Sequence, residues 1–206
     1  MLDTGFSTIF LYLLINLVIL GVSITFHEAA HAWTANRLGD PTAAHQGRIS
    51  LNPLDHIDPL GTVVIPLMLL VATQGRGPVF GWAKPTPFNP WNLSNPKRDS
   101  ALISIAGPIA NVVVAIIFVI LFNLTEITLF KNVAQLNIVL AIFNLIPIHP
   151  LDGFKVVGGL LPKSTYLQWM ELERIGPIFL LFFIFFGGDI LMRIISPILT
   201  LLGIPR

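Results

Sequence analysis

Residues 6–39 read FSTIFLYLLINLVILGVSITFHEAAHAWTANRLG, an apolar run that ends in a polar cluster. No residue from Phe6 to Phe26 is charged, and a helix of that length can cross about 30 Å of hydrocarbon. We expect the helix to continue through the polar cluster and to stop at Gly39, which Pro41 follows. The stretch therefore predicts a membrane helix whose second half carries ionisable groups.

The composition of the chain agrees with a membrane protein. Its 206 residues are 54% hydrophobic and only 11% charged, whereas soluble domains carry roughly 25% charged residues. Such hydrophobicity excludes a disordered chain, and a net charge of +1 without a basic tract argues against a nucleic-acid partner. The absence of cysteine excludes disulfides, Cys-ligated zinc and a thiol nucleophile. We expect one domain over residues 1–206.

Four further apolar runs follow the first one. Ala101–Phe122 is long enough to span a bilayer, Val133–Ile148 is somewhat short, and Ile178–Leu202 is interrupted, so that it forms one span with an interfacial tail or two short segments. Leu60–Thr73 has fourteen residues with Pro66 among them, which favours a re-entrant segment. The predicted fold class is an all-α polytopic membrane protein with about four to six transmembrane or re-entrant helices.

The basic residues predict the orientation of the chain in the membrane. Nine of them fall on one side if Leu60–Thr73 does not cross: Arg37, Arg48, Arg76, Lys84, Lys97, Arg98, Lys155, Lys163 and Arg174. Lys131 then stands alone in the opposite loop, so the positive-inside rule places the nine on the cytoplasmic side and the N-terminus outside the cell. On the cytoplasmic side, His45–Leu51 and Pro78–Lys84 contain glycine and alternate in part, which predicts short β-like segments.

The polar cluster contains the sequence HEAAH at positions 27–31, an HExxH motif. His27 and His31 are four residues apart and share one helical face, so both imidazoles can bind one metal ion while Glu28 takes a proton from a metal-bound water. If the helix ends near Leu38, the motif lies about 13 Å below that end, where ionisable groups are costly unless they pair or bind an ion. A hydrolytic zinc site is favoured over a structural zinc site or a proton relay.

Two histidines leave a catalytic zinc ion one protein ligand short. The candidates in or beside the membrane are His45, Asp55, His56, Asp58 and Asp152. We favour Asp152, because it follows two prolines in NLIPIHPLDG at 144–153, and non-helical backbone is tolerated at membrane depth where it lines a cavity. This choice also requires that Leu60–Thr73 does not cross, since Asp152 must lie on the same side as the histidines.

With these motifs the chain resembles the site-2 proteases, a family of intramembrane zinc metalloproteases. HEAAH at 27–31 and NLIPIHPLDG at 144–153 match the family's paired motifs. Supporting pieces are GRISLNPLDHIDPLGT at 47–62, GWAKPTPFNP at 81–90 and AGPIAN at 106–111. The resemblance covers about residues 10–160 and is to a compact form without a PDZ or CBS domain. A C-terminal membrane segment at about 175–203 follows this family-like core.

The resemblance implies a role for each of five residues. His27, His31 and Asp152 would bind one Zn²⁺ per chain, and Glu28 would be the catalytic base. Asn144 would help to stabilise the tetrahedral intermediate, which a side-chain amide donor can do.

Three other polar residues have alternative interpretations. His149 stands where the family often has another residue, and it is either a neutral variant or a group that approaches the zinc or the substrate. His56 has a capping and turn role around Pro53 and Pro59, or it binds a second metal or guards the cleft. Asn111 lies in an apolar run near small residues, and we expect it to hydrogen-bond between helices rather than to act in catalysis.

The resulting hypothesis is a multi-pass endopeptidase of the plasma membrane with its active site toward the cytoplasm. Its partners would be the lipid bilayer and a membrane-protein substrate that is cut in or near a transmembrane helix, in regulated intramembrane proteolysis. The substrate helix must unwind locally, and the two β-like segments would hold it by strand addition. The alternative is a non-proteolytic membrane metal-binding or transport protein.

Overall fold

The computed structural model describes residues 4–72 and 81–204. Within these ranges the chain is helical and contains no strand. The α-helices are α1 (Thr4–Arg37), α2 (Thr42–His45), α3 (Ile65–Ala72), α4 (Pro96–Thr125), α5 (Thr128–Asn144), α6 (Asp152–Leu160), α7 (Lys163–Glu171), α8 (Gly176–Phe186) and α9 (Gly188–Leu201). A π-helical turn at Pro59–Val64 leads into α3, and 3₁₀ turns lie at Pro53–Asp55, Pro90–Asn92 and Leu172–Arg174.

Helix α1 contains both the first apolar run and the polar cluster, as predicted. It ends where expected, because Gly39 adopts a left-handed φ of +103° that a residue with a Cβ rarely takes. The N–H of Asp40 then donates to the carbonyl of Ala35 at 2.9 Å, which closes the last turn. The polar cluster is thus held in regular helix up to its end.

Helix α4 is the centre of the fold and packs against α1, α5 and α6. Its buried positions recur every four residues and so form one stripe along the helix. The stripe consists of Ile103, Gly107, Asn111, Ala115 and Val119. The N-terminal part of the stripe faces the polar cluster of α1. Its C-terminal part joins residues of α5 and α9 in an apolar core around Ala134, Ile138 and Ile195. Small side chains in this stripe allow the helices to approach closely.

Two helices among the described residues are long and apolar enough to cross a bilayer, at Leu14–Arg37 and Pro96–Thr125. The pair α8 and α9 is bent by 71° at Gly187 and would make a third span if counted as one. Helix α5 has 17 residues, and Pro59–Leu69 is a shorter apolar helix. The structure therefore agrees with a membrane protein, while the predicted number of four to six segments goes beyond what these helices establish.

The predicted β-like segment at 45–51 is not a strand. His45 is the last residue of α2, Gly47 turns the chain with a φ of +68°, and the N–H of Arg48 folds back to the carbonyl of Ala43 at 2.9 Å. The side chain of Arg48 is buried and donates to the carbonyl of Asp55. The segment is therefore a turn held by a buried arginine and not the strand that the alternating sequence predicted.

Of the second β-like segment, 78–84, only residues 81–84 are described. They are extended and donate two backbone hydrogen bonds, from Trp82 to the carbonyl of Gly61 at 3.2 Å and from Lys84 to the carbonyl of His56 at 3.0 Å. These two bonds attach the segment to the loop around the π-helical turn without forming a β-ladder. We call residues 81–89 the extended segment, and its later part leads directly to the polar cluster of α1.

Candidate active site

His27, His31 and Asp152 come together in the structure although Asp152 is more than a hundred residues away in the chain. The two histidine Nε2 atoms are 3.0 Å apart. The Oδ2 atom of Asp152 lies 3.1 Å from the Nε2 of His27 and 3.3 Å from that of His31. Both histidines are buried, and Asp152 is partly buried at the start of α6. We call these three residues the ligand triad.

Hydrogen bonds on the far side of each ring orient the two imidazoles. The Nδ1 of His27 lies 2.6 Å from the Oδ1 of Asn111, and the Nδ1 of His31 lies 2.7 Å from the carbonyl of Ile103. Since both oxygens can only accept, each Nδ1 carries the proton and each Nε2 presents a lone pair to Asp152. This is the arrangement by which proteins prepare histidines for a metal ion.

The ligand triad has the chemistry of a metal site. Two imidazole lone pairs and a carboxylate oxygen face one another, and Oδ2 of Asp152 is buried with no hydrogen-bond partner among the described residues. Three such acceptors repel unless a cation lies among them. In a tetrahedral zinc site with bonds of about 2.0–2.1 Å, ligand atoms are about 3.3 Å apart, close to the 3.0–3.3 Å found here. The residues fit a zinc ion.

Asn111 belongs to a polar network that ties α1, α4 and α5 together. Its Nδ2 donates to the Oδ1 of Asn137 at 2.9 Å and to the carbonyl of Ser23 at 3.3 Å. Asn137 in turn donates to the hydroxyl of Ser23 at 2.9 Å. The inter-helix role predicted for Asn111 is therefore present, and the network fixes the amide so that its oxygen faces His27. All three side chains are buried.

Gly107 is the point of α4 nearest to the histidines. A Cβ atom there would lie 2.4 Å from the Nε2 of His31 and 2.6 Å from that of His27. Glycine is thus required at this position, because any side chain would collide with the two nitrogen atoms that face Asp152. The next residue, Pro108, has no N–H to donate to the carbonyl one turn earlier. The helix is therefore adapted at this turn to the presence of the imidazoles.

The side chain of Glu28, a residue of α1, is oriented by the extended segment. Its Oε2 accepts a hydrogen bond from the backbone N–H of Thr86 at 2.8 Å, and the Thr86 hydroxyl donates to the Glu28 carbonyl at 3.0 Å. Thr86 lies between Pro85 and Pro87, neither of which has an N–H. The two prolines restrict the backbone, so the one donor between them is aimed at Glu28. Sequence reasoning noted this motif but missed the role of Thr86.

Asp40 anchors the far end of the extended segment to the end of α1. Its carboxylate accepts hydrogen bonds from the N–H of Asn89 at 2.6 Å, the side-chain amide of Asn92 at 2.7 Å and the hydroxyl of Thr42 at 2.5 Å. Burial raises the pKa of Asp40, but these bonds outweigh that effect and hold it below its ordinary value. Sequence reasoning also missed this residue, since an acid after a helix end gives no sign of distant partners.

Asn144 is the last residue of α5, at the start of the loop that leads to Asp152. Its Nδ2 donates to the carbonyl of Leu140 at 3.0 Å. In this structure the amide is thus bonded within α5 and not to the ligand triad. The loop returns close to its origin, because a Cβ on Gly153 would lie 2.2 Å from the carbonyl oxygen of Leu145. Glycine after Asp152 therefore brings the end of α5 next to the start of α6.

The remaining histidines do not join the ligand triad in the structure. His149 lies 3.0 Å from Glu173, and burial together with the nearby Lys155 lowers the pKa of His149 against the opposing attraction of Glu173. His56 is buried, with its Nε2 2.9 Å from the carbonyl of Ser50. In the described part of the chain, the ligand triad is the one group of His, Asp and Glu side chains placed to hold a metal ion. This favours the turn role for His56.

Comparison with known proteins places these residues in a wider context. Residues 15–135 match the family described as Peptidase family M50. The chain is 37% identical over 203 residues to "Putative zinc metalloprotease YwhC" of Bacillus subtilis, which covers 92% of this chain and 86% of that protein. It is 31% identical over 167 residues to "Putative zinc metalloprotease Rip2" of Mycobacterium tuberculosis, covering 78% of this chain and 62% of that protein. No solved structure matches the chain.

Proposed function

The chain belongs to peptidase family M50, the site-2 protease family, and is a membrane zinc metalloprotease; on that premise we propose that it cleaves membrane-protein substrates in or near a transmembrane helix. The observation that carries this proposal is that His27 and His31 of the ligand triad lie on α1, a helix long and apolar enough to span the bilayer, and that Asp152 of α6 meets them there. A hydrolytic site so placed meets the peptide bonds of other membrane helices first. The substrate class is thus a membrane protein rather than a soluble one.

We assign the zinc ion to His27, His31 and Asp152. A zinc ion bound there supplies Lewis acidity, which polarises the scissile carbonyl and acidifies the attacking water. The residues of the chain do the rest. Asn111 and the carbonyl of Ile103 hold the two Nδ1 protons, so that the imidazoles stay in the tautomer that binds metal.

Glu28 is assigned as the general base. It is adjacent in sequence to His27, and its carboxylate is oriented by the N–H of Thr86 through one oxygen, which leaves the other oxygen for the proton of the attacking water. The proton then passes from Glu28 to the nitrogen of the leaving amine. Thr86 is a positioning residue in this scheme, because it acts on the reaction through Glu28.

Asn144 is assigned to the stabilisation of the oxyanion. Its position at the loop that brings α5 beside Asp152 supports this role, while its amide donates to Leu140 in the structure. A single rotation about its side-chain bonds would release that donor toward a bound substrate. Removal of an oxyanion donor of this kind costs about 10²–10³ in kcat.

The proposed topology has the N-terminus outside the cell and the active site toward the cytoplasmic face of the plasma membrane. Helix α5 would cross as a short third span, since 17 residues lie at the lower limit for a bilayer. The helical segment from Pro59 to Ala72 would be re-entrant, which keeps His27 and Asp152 on one side. Residues 1–206 would form one protease domain.

The extended segment at 81–89 is the part of the chain best suited to hold an unwound substrate. Its backbone runs past Glu28, so that an extended peptide alongside it would lie next to the proposed base. Residues 45–51 do not share this conformation and are left out of the proposed substrate contact. Local unwinding is required because helical peptide bonds are shielded and hydrogen-bonded.

Purified protein, metal analysis and a model transmembrane substrate test the proposed function. Glu28→Gln should retain zinc and lose about 10²–10⁴ in kcat, because it keeps the shape of the side chain and removes the base. Asp152→Ala should lose zinc and activity together. Cleavage by Glu28→Gln at the wild-type rate would overturn the assignment of the base and, with it, of the site.

A further inference from the structure

A cavity of about 470 Å³ lies beside the candidate active site, between the extended segment and helices α4, α6 and α7. Thr86, which hydrogen-bonds to Glu28, forms part of its wall. Lys155 lines it from α6, one helical turn beyond Asp152. The cavity therefore borders the residue that orients the proposed base and the helix that carries the third proposed ligand.

Lys155 is unusual among the charged groups of the cavity. Its Nζ makes no hydrogen bond and no salt bridge with any residue that the structure describes, and it lies 4.4 Å from the centre of the Phe88 ring. Burial lowers the pKa of Lys155, although Asp152 and Glu173 act in the opposite direction. A partly buried ammonium group that packs on an aromatic face and has no hydrogen-bonded partner among the described residues can gain from a further anionic partner.

The other charged side chains of the cavity already have partners. The Nζ of Lys97 donates to the carbonyl of Leu161 and lies 5.5 Å from the centre of the Tyr166 ring. Glu173 lies 3.0 Å from the Nε2 of His149. Among the described residues that line the cavity, Lys155 is thus the charged group left without a hydrogen-bonded partner.

We propose that this cavity is a substrate subsite, in which Lys155 binds the carboxylate of an aspartate or glutamate close to the scissile bond. The proposal rests on the proposed function, since it needs a peptide held next to Glu28. A chain that runs along the extended segment past Thr86 places its neighbouring side chains in the cavity. Lys155 would then select substrates rather than take part in the chemistry.

The walls of the cavity suit an acidic side chain in particular. The segment contributes Pro85 and Pro87, which have no N–H, and Phe88, which is apolar; Pro90 follows directly after it. The methylene groups of a glutamate can pack on these rings, and its carboxylate finds in Lys155 a donor that is not already engaged. A neutral glutamine of the same shape would leave the ammonium group uncompensated.

The test compares substrates that differ by one charge. A glutamate or a glutamine is placed singly at each position flanking the cut site of a model transmembrane substrate, and kcat/KM is measured for each pair. Wild-type protein should prefer glutamate at one position by about tenfold, the ratio that corresponds to 1.4 kcal/mol. Binding of the same pairs to Glu28→Gln, whose kcat is expected to be about 10²–10⁴ times lower, should show a matching ratio of dissociation constants.

Two variants assign the preference to Lys155. Lys155→Met keeps the length of the side chain and should reduce the glutamate-to-glutamine ratio to about one, while Lys155→Arg should retain a preference. Lys97→Met is the matched control, because it removes a positive charge from the same cavity and leaves Lys155 in place. The glutamate-to-glutamine ratio of this variant should equal that of wild type.

Several outcomes would overturn the proposal. One is a wild-type protein that cleaves in a Glu28-dependent manner without preference at any position, which would leave the proposed function intact. Another is a preference that survives in Lys155→Met. If Lys155→Met weakens glutamate and glutamine substrates equally, the lysine binds something other than a substrate carboxylate, such as a lipid phosphate, and the subsite is wrong.

Discussion

The ligand triad and the proposed base, Glu28, are held by two different kinds of structure. His27 and His31 lie on a long helix and are oriented by groups of α4, whereas Glu28 depends on an extended segment attached at only a few points. The histidines and their supports are buried, while much of the segment is exposed. Metal binding and proton transfer should therefore respond to different substitutions.

The largest effect that separates the two regions is expected at Gly107. Gly107→Ala would put a methyl group 2.4 Å from the Nε2 of His31, so the imidazoles must move and the triad cannot close around a metal ion. We expect zinc content and cleavage both to fall below detection. Metal analysis of the purified variant checks this. Gly21→Ala is the control, since a Cβ there meets no atom within 4 Å and should leave both unchanged.

The extended segment should show the opposite behaviour. Thr86→Pro removes the N–H that orients Glu28 but leaves the triad untouched, so zinc content should stay at the wild-type level while kcat falls by about 10² or more. Thr86→Val is the matched variant, because it keeps the N–H and loses only the hydroxyl bond to the Glu28 carbonyl. Equal kinetics for the two variants would show that Thr86 does not position the base.

A smaller effect on the triad is expected at Asn111. Asn111→Leu removes the acceptor of the Nδ1 proton of His27, and loss of such a support lowers metal affinity by about 10–100-fold. Competition with a zinc chelator measures the change. Asn137→Leu should give a weaker effect of the same sign, because Asn137 acts on His27 only through Asn111. An unchanged zinc affinity in Asn111→Leu would contradict the proposed orientation of the ring.

The difference between the two regions also explains which parts of the site could be predicted from the sequence. The spacing of His27 and His31 predicts a shared helical face, and Asp152 could be found because few acids lie near an apolar run. The role of Thr86 could not be predicted from the sequence. Its functional group is a backbone N–H, which nearly every residue has, and the carboxylate that accepts from it is 58 positions away. Local pattern predicts helix faces, while contacts between a loop and a helix depend on tertiary packing.

The β-like prediction for 45–51 was wrong for the same reason. Alternation over a few residues cannot show that Arg48 will turn inward to the carbonyl of Asp55, which the chain reaches only through a later turn. The long helices α1 and α4 follow from their apolar runs because the bilayer and the helix period constrain them over many residues. Short loop segments lack such a constraint.

The smallest effect is expected at the anchor of the extended segment. Asp40→Asn weakens the bonds from Asn89 and Thr42, and loss of charged hydrogen bonds at a buried site should lower the free energy of unfolding by about 1–3 kcal/mol. Because these bonds hold the pKa of Asp40 below its ordinary value, the charged form stabilises the folded state above about pH 4. That contribution is lost as the pH falls through the lowered pKa.

Thermal unfolding in detergent from pH 7 down to pH 3 measures this contribution. Wild-type protein should exceed Asp40→Asn in Tm at neutral pH, and the gap should narrow below about pH 4 as the carboxylate takes up a proton. Asp189→Asn, at an exposed site on α9, is the matched control and should leave Tm at neutral pH unchanged. A gap that is constant with pH would mean that Asp40 acts through its shape rather than its charge. Zinc content should not change in either variant, because the triad does not rest on this anchor.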